Sequence, residues 1–352
     1  MDTKLFQKIL FIAPIYTRKG GIASVLKTYE NNIDDFNFFA SIYFSNKLIN
    51  FLFFPFVIIH FIIYLIFNPS IEIIHIHGSS KGSFYRKYVL FKISKIINKK
   101  VIYHIHGSEY QIFYNNASSI IKSKIDYFIN NSDSIIALST EWQTYFLDNF
   151  NQKNIFVLNN IVRYQKPFSK NSHEKLQLLF LGRIGERKGI FDILYIIAKN
   201  KEFYNNKITL AIGGDGETEK LKKFISDNKL ENIVTFYGWT KNELKNKLLL
   251  ESHIMILPSY NEGLPITLLE AMSYSMPLIS THVGGIARVL KHKKNGIVVK
   301  PGDLYMIGQA IKYYINNKNQ INIHGEESYK IVKDFYPKKV LNDLLHIYQK
   351  TN

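Results

Sequence analysis

Short apolar runs alternate with longer stretches of helical period from one end of the chain to the other. In the first half the runs are Ile9–Ala13, Phe38–Phe44, Ile71–Ile76, Val101–Ile105, Ser134–Leu138 and Ile155–Leu158. In the second half they are Leu178–Leu181, Ile208–Ile212, Ile233–Phe236, Ile254–Leu257, Leu278–Ser280 and Gly296–Val299. Apolar strands separated by helix-length segments predict parallel α/β sheets. Between the two sets lies RYQKPFSKNSHEK, residues 163–175, which is polar, contains proline and has no period. It reads as an interdomain linker, so the pattern predicts two doubly wound domains facing one another across a cleft. In such sheets ligands bind at the carboxyl ends of strands, and the loops after strands are where chemistry belongs.

Two first-half stretches interrupt this regularity. Leu48–Phe67 (LINFLFFPFVIIHFIIYLIF) is long and apolar enough to cross a bilayer. It also holds Pro55 and His60 and sits between two strands of one predicted sheet. Crossing there would tear the domain apart, so a largely buried or surface-lying helix is expected, with a membrane-inserting element as the alternative. Ser80–Lys100 carries seven Lys or Arg, no acidic residue, and interleaved Tyr88, Phe91, Ile93, Ile96 and Ile97. That spacing describes a basic amphipathic helix, suited either to solvent or to an anionic lipid surface.

A length of 352 residues with 46% hydrophobic and 21% charged content fits two globular domains and excludes a largely disordered chain. The formal charge is +17. Residues 1–170 hold 19 Lys/Arg against 10 Asp/Glu, and the remainder 26 against 18, so the excess is +9 and +8. Positive charge spread this evenly is not a nucleic-acid-binding tail; it suits an anionic substrate or membrane surface, or is simply a lysine-rich solvated surface. With no cysteine, disulfides and cysteine-metal sites are excluded, and a reducing cytosol is the expected setting. No signal peptide is visible before the first strand.

The segment PSYNEGLPITLLEAMSYSMPLISTHVGG concentrates the candidate chemistry. It runs from a strand into a helix whose apolar face is Leu268, Leu269 and Met272, with Pro265 at the expected first helical position. Glu262 lies on the turn and Glu270 within the helix. A helix start binds anions and carboxylates accept hydrogen bonds from hydroxyls, so the pair suits a ligand with both phosphate and hydroxyls: a nucleotide sugar. LGRIGERKGI follows another strand and offers Arg183 and Lys188 to a diphosphate, including one that is leaving. GGDGE (213–217) reads as a tight turn, and Tyr237, Gly238 and Trp239 as a wall for a base, although Trp239 suits a core equally well. In the first half, Gly20 and Gly21 open a helix where a ligand can approach the backbone, and Lys19 reads as a surface residue. His75/His77 and His104/His106 each point to one sheet face, and His106, before Gly107 at the strand end, is the better candidate for chemistry. A zinc site from the four histidines has no supporting carboxylate or H-E-x-x-H spacing, and no Asp-x-Asp pair occurs to hold a metal–diphosphate.

Taken together, the GG turn at 20–21, EIIHIH at 72–77, HG at 106–107, GRIGERKG, GGDGE, EGLPITLLE and NGIVVKPGD resemble the retaining glycosyltransferases of family 4 over nearly the full length. The resemblance implies a GT-B fold, α/β with two Rossmann-like doubly wound domains. Residues 1–165 would be the acceptor domain, 166–330 the nucleotide-sugar domain, and 331–352 a C-terminal helix packing back on the first. It implies Arg183 and Lys188 on the donor diphosphate, Glu262 with the N–H groups of Gly263 and Leu264 on the donor sugar, and Glu270 on the ribose. Gly21 joins the donor site, while His106 and Glu262 are the expected catalytic pair. Retention would proceed without metal or cofactor, by same-face attack in which the leaving phosphate takes the acceptor proton. Two departures stand out: Ala287 and Arg288 replace a Pro-Glu-like pair, and Ser275 replaces a common glycine, an exchange expected to be neutral.

The expected function is transfer of a hexose or N-acetylhexosamine, with a UDP-sugar as expected donor, to a lipid-linked or oligosaccharide acceptor for capsule, O-antigen or another surface polysaccharide. Its expected location is the cytoplasmic face of the membrane, in peripheral contact with anionic lipid. The alternatives are a synthase using a soluble sugar acceptor, a nucleotide-sugar epimerase, and an inactive scaffold. A basic nucleic-acid-binding protein is a fourth, disfavoured because no basic face or recognition motif is concentrated.

Overall fold

All twelve apolar runs form strands in the computed structural model, which describes residues 3–15, 20–44, 46–107, 109–166, 169–170 and 174–351. They assemble into two six-stranded parallel sheets. The first comprises β1 (Ile9–Ala13), β2 (Asn37–Ala40), β3 (Ile73–Gly78), β4 (Lys100–Ile105), β5 (Ser134–Ala137) and β6 (Ile155–Val157), in the order β2-β1-β3-β4-β5-β6. The second comprises β7 (Leu176–Leu181), β8 (Ile208–Gly213), β9 (Val234–Phe236), β10 (Ile254–Leu257), β11 (Leu278–Thr281) and β12 (Gly296–Val299), in the order β12-β11-β10-β7-β8-β9. Strand β2 is shorter than the apolar pattern suggests. Its register on β1 ends at Ala40, and beyond it Ser41 still donates its N–H to Ala13 O at 2.8 Å.

Contacts divide the chain into two units, one of residues 1–162 with 337–352 and one of residues 163–336. In the first unit the helices are α1 (Gly21–Glu30), α2 (Lys47–Phe67), α3 (Gly82–Ile96), α4 (Tyr110–Asn115), α5 (Ser119–Asn131) and α6 (Thr140–Asn149). In the second they are α7 (Ile190–Lys199), α8 (Lys201–Tyr204), α9 (Thr218–Asp227), α10 (Asn242–Glu251), α11 (Ile266–Ser273), α12 (Ile286–Val289), α13 (Leu304–Asn316) and α14 (Asn319–Val332). Helix α15 (Pro337–Thr351) returns to the first unit, where Lys100 Nζ reaches Thr351 O at 3.0 Å and Ser134 Oγ pairs with Thr351 Oγ1 at 2.8 Å.

One face of the first sheet packs an apolar core around Leu10, Ile74, Ile76, Phe84, Phe91 and Phe128, against α2, α3 and α5. The opposite face carries Phe11 and the histidines against Tyr29 of α1 and Tyr348 of α15. The basic stretch is not uniformly amphipathic. Lys87 of α3 is fully buried and donates to Ser41 Oγ, while Ile96 near the helix end is 74% exposed. Burial holds the Lys87 ammonium well below its ordinary range. Among the long helices, α2 departs furthest from globular habit: Val57, Phe61 and Leu65 are buried, but most of its other apolar side chains are not.

In each sheet the strand order reverses beside the first strand, between β1 and β3 and between β7 and β10. A crevice opens at such a switch point outside the carboxyl ends of the strands. The loops after β7 and β10 are those that carry Arg183, Lys188 and Glu262. Ser275 is not neutral as expected: it sits at φ 52° just after α11, a left-handed conformation that costs a non-glycine residue about 1 kcal/mol.

Candidate functional site

In the second unit the two switch-point loops meet. Lys188 Nζ forms an ion pair and hydrogen bond with Glu262 Oε1, and Ser259 Oγ donates to the same oxygen at 3.0 Å. Arg187 Nη1 lies 3.8 Å from Glu262 Oε2 and donates to Asn261 O at 2.7 Å. Side-chain exposure is 13% for Lys188 and 7% for Glu262. Burial lowers the Lys188 ammonium from its usual range, and Glu262 opposes that shift. The carboxylate is thus held by a cation and a hydroxyl, beside the start of α11.

Pro265 is the residue before α11 rather than its first residue, since its ψ of 122° is extended; the helix begins at Ile266. Gly263 and Leu264 are buried in the turn. Glu270, within α11, receives Lys245 Nζ of α10 at 2.5 Å. Arg183 is exposed on the β7 loop. That loop is stitched to GGDGE: Ile184 donates its N–H to Asp215 O at 2.6 Å, and Glu217 donates its own to Ile184 O at 3.0 Å. GGDGE in turn meets the aromatic wall, as Gly214 N–H donates to Gly238 O at 2.7 Å. Tyr237 and Trp239 are 41% and 37% exposed, so neither is a core residue and both present ring surface.

In the first unit, His106 lies just past β4 and pairs its Nε2 with His77 Nδ1 at 2.8 Å. His75 Nδ1 meets the Tyr348 hydroxyl at 2.6 Å, and His75 Nε2 meets His104 Nδ1 at 3.2 Å. The four rings pile on one another, with His104 and His106 centroids 4.1 Å apart. Burial lowers all four; His106 falls to about 3. At neutral pH His106 is therefore an uncharged hydrogen-bonding group. The ring nitrogens of His75, His77 and His104 come within 4.8 Å of one another. A cation there would take one ring nitrogen of His75 from its present partner, Tyr348 or His104. Gly21 begins α1, and Gly20 precedes it at φ 137°; Lys19 lies outside the described residues.

These histidines make a pH prediction. Each binds fewer protons folded than unfolded between its lowered value and 6.5, so stability rises with pH across that window. Urea denaturation should show stability falling as pH drops from 6.5 toward 4.5, by about 1.4 kcal/mol per pH unit for each histidine held neutral. Stability that stays flat through that window would refute the description of the cluster as buried and neutral.

Reasoning from sequence named Lys188, Glu262 and Glu270 but missed Arg187, Ser259 and Lys245. Arg187 and Ser259 stand beside residues already chosen, so proximity was a usable signal. Lys245 reaches Glu270 only through the packing of α10 against the second sheet, which no local pattern encodes.

Two parallel six-stranded units, the second with cation and carboxylate loops at its switch point, define a GT-B protein. Residues 163–331, just under half of the chain, match the family of glycosyl transferases group 1, and the chain is a glycosyltransferase. An uncharacterized glycosyltransferase of Methanocaldococcus jannaschii is 27% identical over 282 residues, 74% of this chain and 71% of the relative. HepE of Anabaena, solved with UDP-glucose, superposes with TM-score 0.76 at 17% identity, covering 97% of this chain and 98% of its own. TarM of S. aureus, solved with UDP and alpha-GlcNAc-glycerol, gives TM-score 0.63 at 19% identity over 78% of this chain; the match spans only 55% of TarM.

Proposed function

We propose that the chain transfers a sugar from a UDP-sugar, with retention and without a metal, to a lipid-linked or oligosaccharide acceptor of surface polysaccharide, at an anionic membrane face. The observation that carries this reading is the Lys188–Glu262 pair at the switch point, with Ser259 on the same carboxylate oxygen. Lys188, with Arg183, neutralises the diphosphate, and Glu262 turns to accept hydroxyls of the donor sugar. Glu270 binds the ribose, Gly263 and Leu264 supply N–H groups, Gly21 completes the donor contacts, and Tyr237–Trp239 flank the base. His106, neutral at working pH, donates or accepts a hydrogen bond at the transferred sugar. In the transfer, the bond from C1 to the diphosphate oxygen breaks and the acceptor oxygen bonds C1 from the same face. The acceptor proton passes to the leaving diphosphate, so charge balances without a metal. The two solved structures bearing UDP support the choice of base.

The acceptor side has its own candidate. A groove of about 480 Å³ in the first unit is lined by Tyr85, Ile112, Phe113 and Ile121, with Lys81 and Glu109 also on its wall. Glu109 follows His106 by three residues, and Lys81 Nζ lies 3.8 Å from its carboxylate. An apolar groove with a charged end suits an acceptor that joins a sugar or phosphate to an apolar tail.

The test is a thermal-shift screen of UDP-, GDP- and ADP-sugars, followed by radiolabelled transfer in a membrane extract with and without chelator. A UDP-sugar at a hundredfold over its Kd should stabilise the native state by about 2.7 kcal/mol, and chelator should leave transfer intact. Stabilisation by no nucleotide sugar overturns the donor reading; loss of transfer with chelator overturns the metal-free mechanism.

A further inference from the structure

We infer that α2 is an in-plane membrane anchor, its outer face sunk into one leaflet of an anionic phospholipid bilayer. Eleven large apolar side chains between Leu48 and Phe67 are exposed, among them Phe51 at 76%, Phe56 at 63% and Phe67 at 78%. Only 22% of the apolar window is buried. The segment holds no charged residue. A soluble monomer rarely leaves an apolar patch above roughly 300–600 Å² open to water. A helix of this length, about 30 Å at 1.5 Å per residue, exceeds that with its side chains bare.

The fold decides that α2 lies in the membrane plane and does not cross it. The helix connects β2 to β3, and both strands pair in parallel with β1. Its start is fastened by Asn50, whose side chain donates to Phe44 O and accepts from Phe44 N–H at 3.0 Å. Its end is fastened where Lys99 Nζ reaches Ile71 O at 2.5 Å. Between these ties, Val57, Phe61 and Leu65 are packed in the core of the sheet. Standing the helix across a bilayer would strip those three side chains from the core and pull β2 and β3 from β1. Lying flat, it buries the outer face in the acyl boundary and keeps the inner face where it is.

Charge selects the occupant. Helix α3 packs directly beside α2, and Ser80–Lys100 carries seven Lys or Arg with no acidic residue. Arg86 and Lys92 are half-exposed, while Lys95 pairs with Asp133 and Lys99 and Lys100 donate to backbone carbonyls. Ile96, 74% exposed, extends the apolar surface at the α3 end. An apolar stripe flanked by cations matches acyl chains below anionic headgroups. A second copy of the chain would bring the same cations against each other. The inference deepens the membrane side of the proposed function and does not depend on the donor chemistry.

The absence of cysteine in the sequence makes the test clean. Single variants Leu52→Cys, Ile59→Cys and Ile66→Cys of the full chain are labelled with an environment-sensitive fluorophore and mixed with vesicles of phosphatidylcholine, with or without phosphatidylglycerol. Flotation should favour the anionic vesicles, and spin-labelled lipids should quench all three positions from the same shallow depth. The double variant Phe51→Glu/Phe56→Glu should lose vesicle partitioning by at least about tenfold, with the nucleotide-sugar thermal shift unchanged, which shows that the protein remains folded. Depth that runs from one leaflet to the other along the three positions would overturn the in-plane anchor. So would an absence of vesicle binding, or self-association that Phe51→Glu/Phe56→Glu abolishes. A lost thermal shift with retained flotation would sink the donor reading alone.

Discussion

Replacing Lys188 with alanine is expected to lower kcat/KM for transfer by about 10²–10³-fold, measured with the UDP-sugar that gives the largest thermal shift. In the proposed function the cation neutralises charge that grows as the diphosphate leaves, so most of the loss should fall on kcat. Stability should fall as well. Glu262 is 7% exposed, and removing its partner leaves a carboxylate whose nearest other cation, Arg187, is 3.8 Å away. Breaking a buried pair from one side costs roughly 3–5 kcal/mol, and Arg187 with Ser259 should hold the value at the lower end. The double variant Lys188→Ala/Glu262→Ala separates the two effects. It removes the stranded charge, so stability should recover relative to Lys188→Ala, while activity should not. If Lys188→Ala and Glu262→Ala each transferred as well as wild type, the site assignment would collapse.

The second large effect comes from a residue with no functional group. Gly284 sits at φ 50°, and a Cβ there would overlap the carbonyl oxygen of Glu262; Gly285 is similarly close to Gly263 O. Gly285 N–H also donates to Gly263 O at 2.5 Å. The VGG turn after β11 is therefore the mould against which the Glu262–Gly263 turn is cast. Gly284→Ala should destabilise by about 2–4 kcal/mol, because the left-handed conformation and the overlap add. It should also lower kcat/KM about 10²-fold in the molecules that stay folded, since on the proposed function a shift of the Glu262 backbone by even 1 Å would move the carboxylate off the donor. Thermal denaturation and single-turnover transfer separate the two. Wild-type stability for Gly284→Ala would show that the turn relaxes without strain and that the mould is unnecessary.

Much of the fold was legible because parallel strands buried on both faces are written as continuous apolar runs. All twelve runs became strands, and the helices between them follow from that alternation. Strand order was not legible: nothing local says that β10 lies beside β7, and that adjacency is what brings Glu262 to Lys188. The histidines were legible as pairs on one face, since period two fixes direction. Their stacking and the His77–His106 hydrogen bond were not, because they depend on β3 lying next to β4 in register His77 to His104. Lys87 shows the limit from the other side. Its charge argued for a solvent face, yet packing placed it in the core with Ser41 as partner.

The sequence by itself determined the class of fold, the identity of the cation and carboxylate residues and the unusual apolarity of Leu48–Phe67, because composition and period are local properties. Tertiary structure decided which of those residues touch, that Trp239 faces solvent and that Ser275 carries backbone strain. It also decided that α2 lies along its sheet with an open face. The physical reason is common to all of these. Contacts between distant segments are set by strand order and close backbone approach, and a linear pattern carries neither.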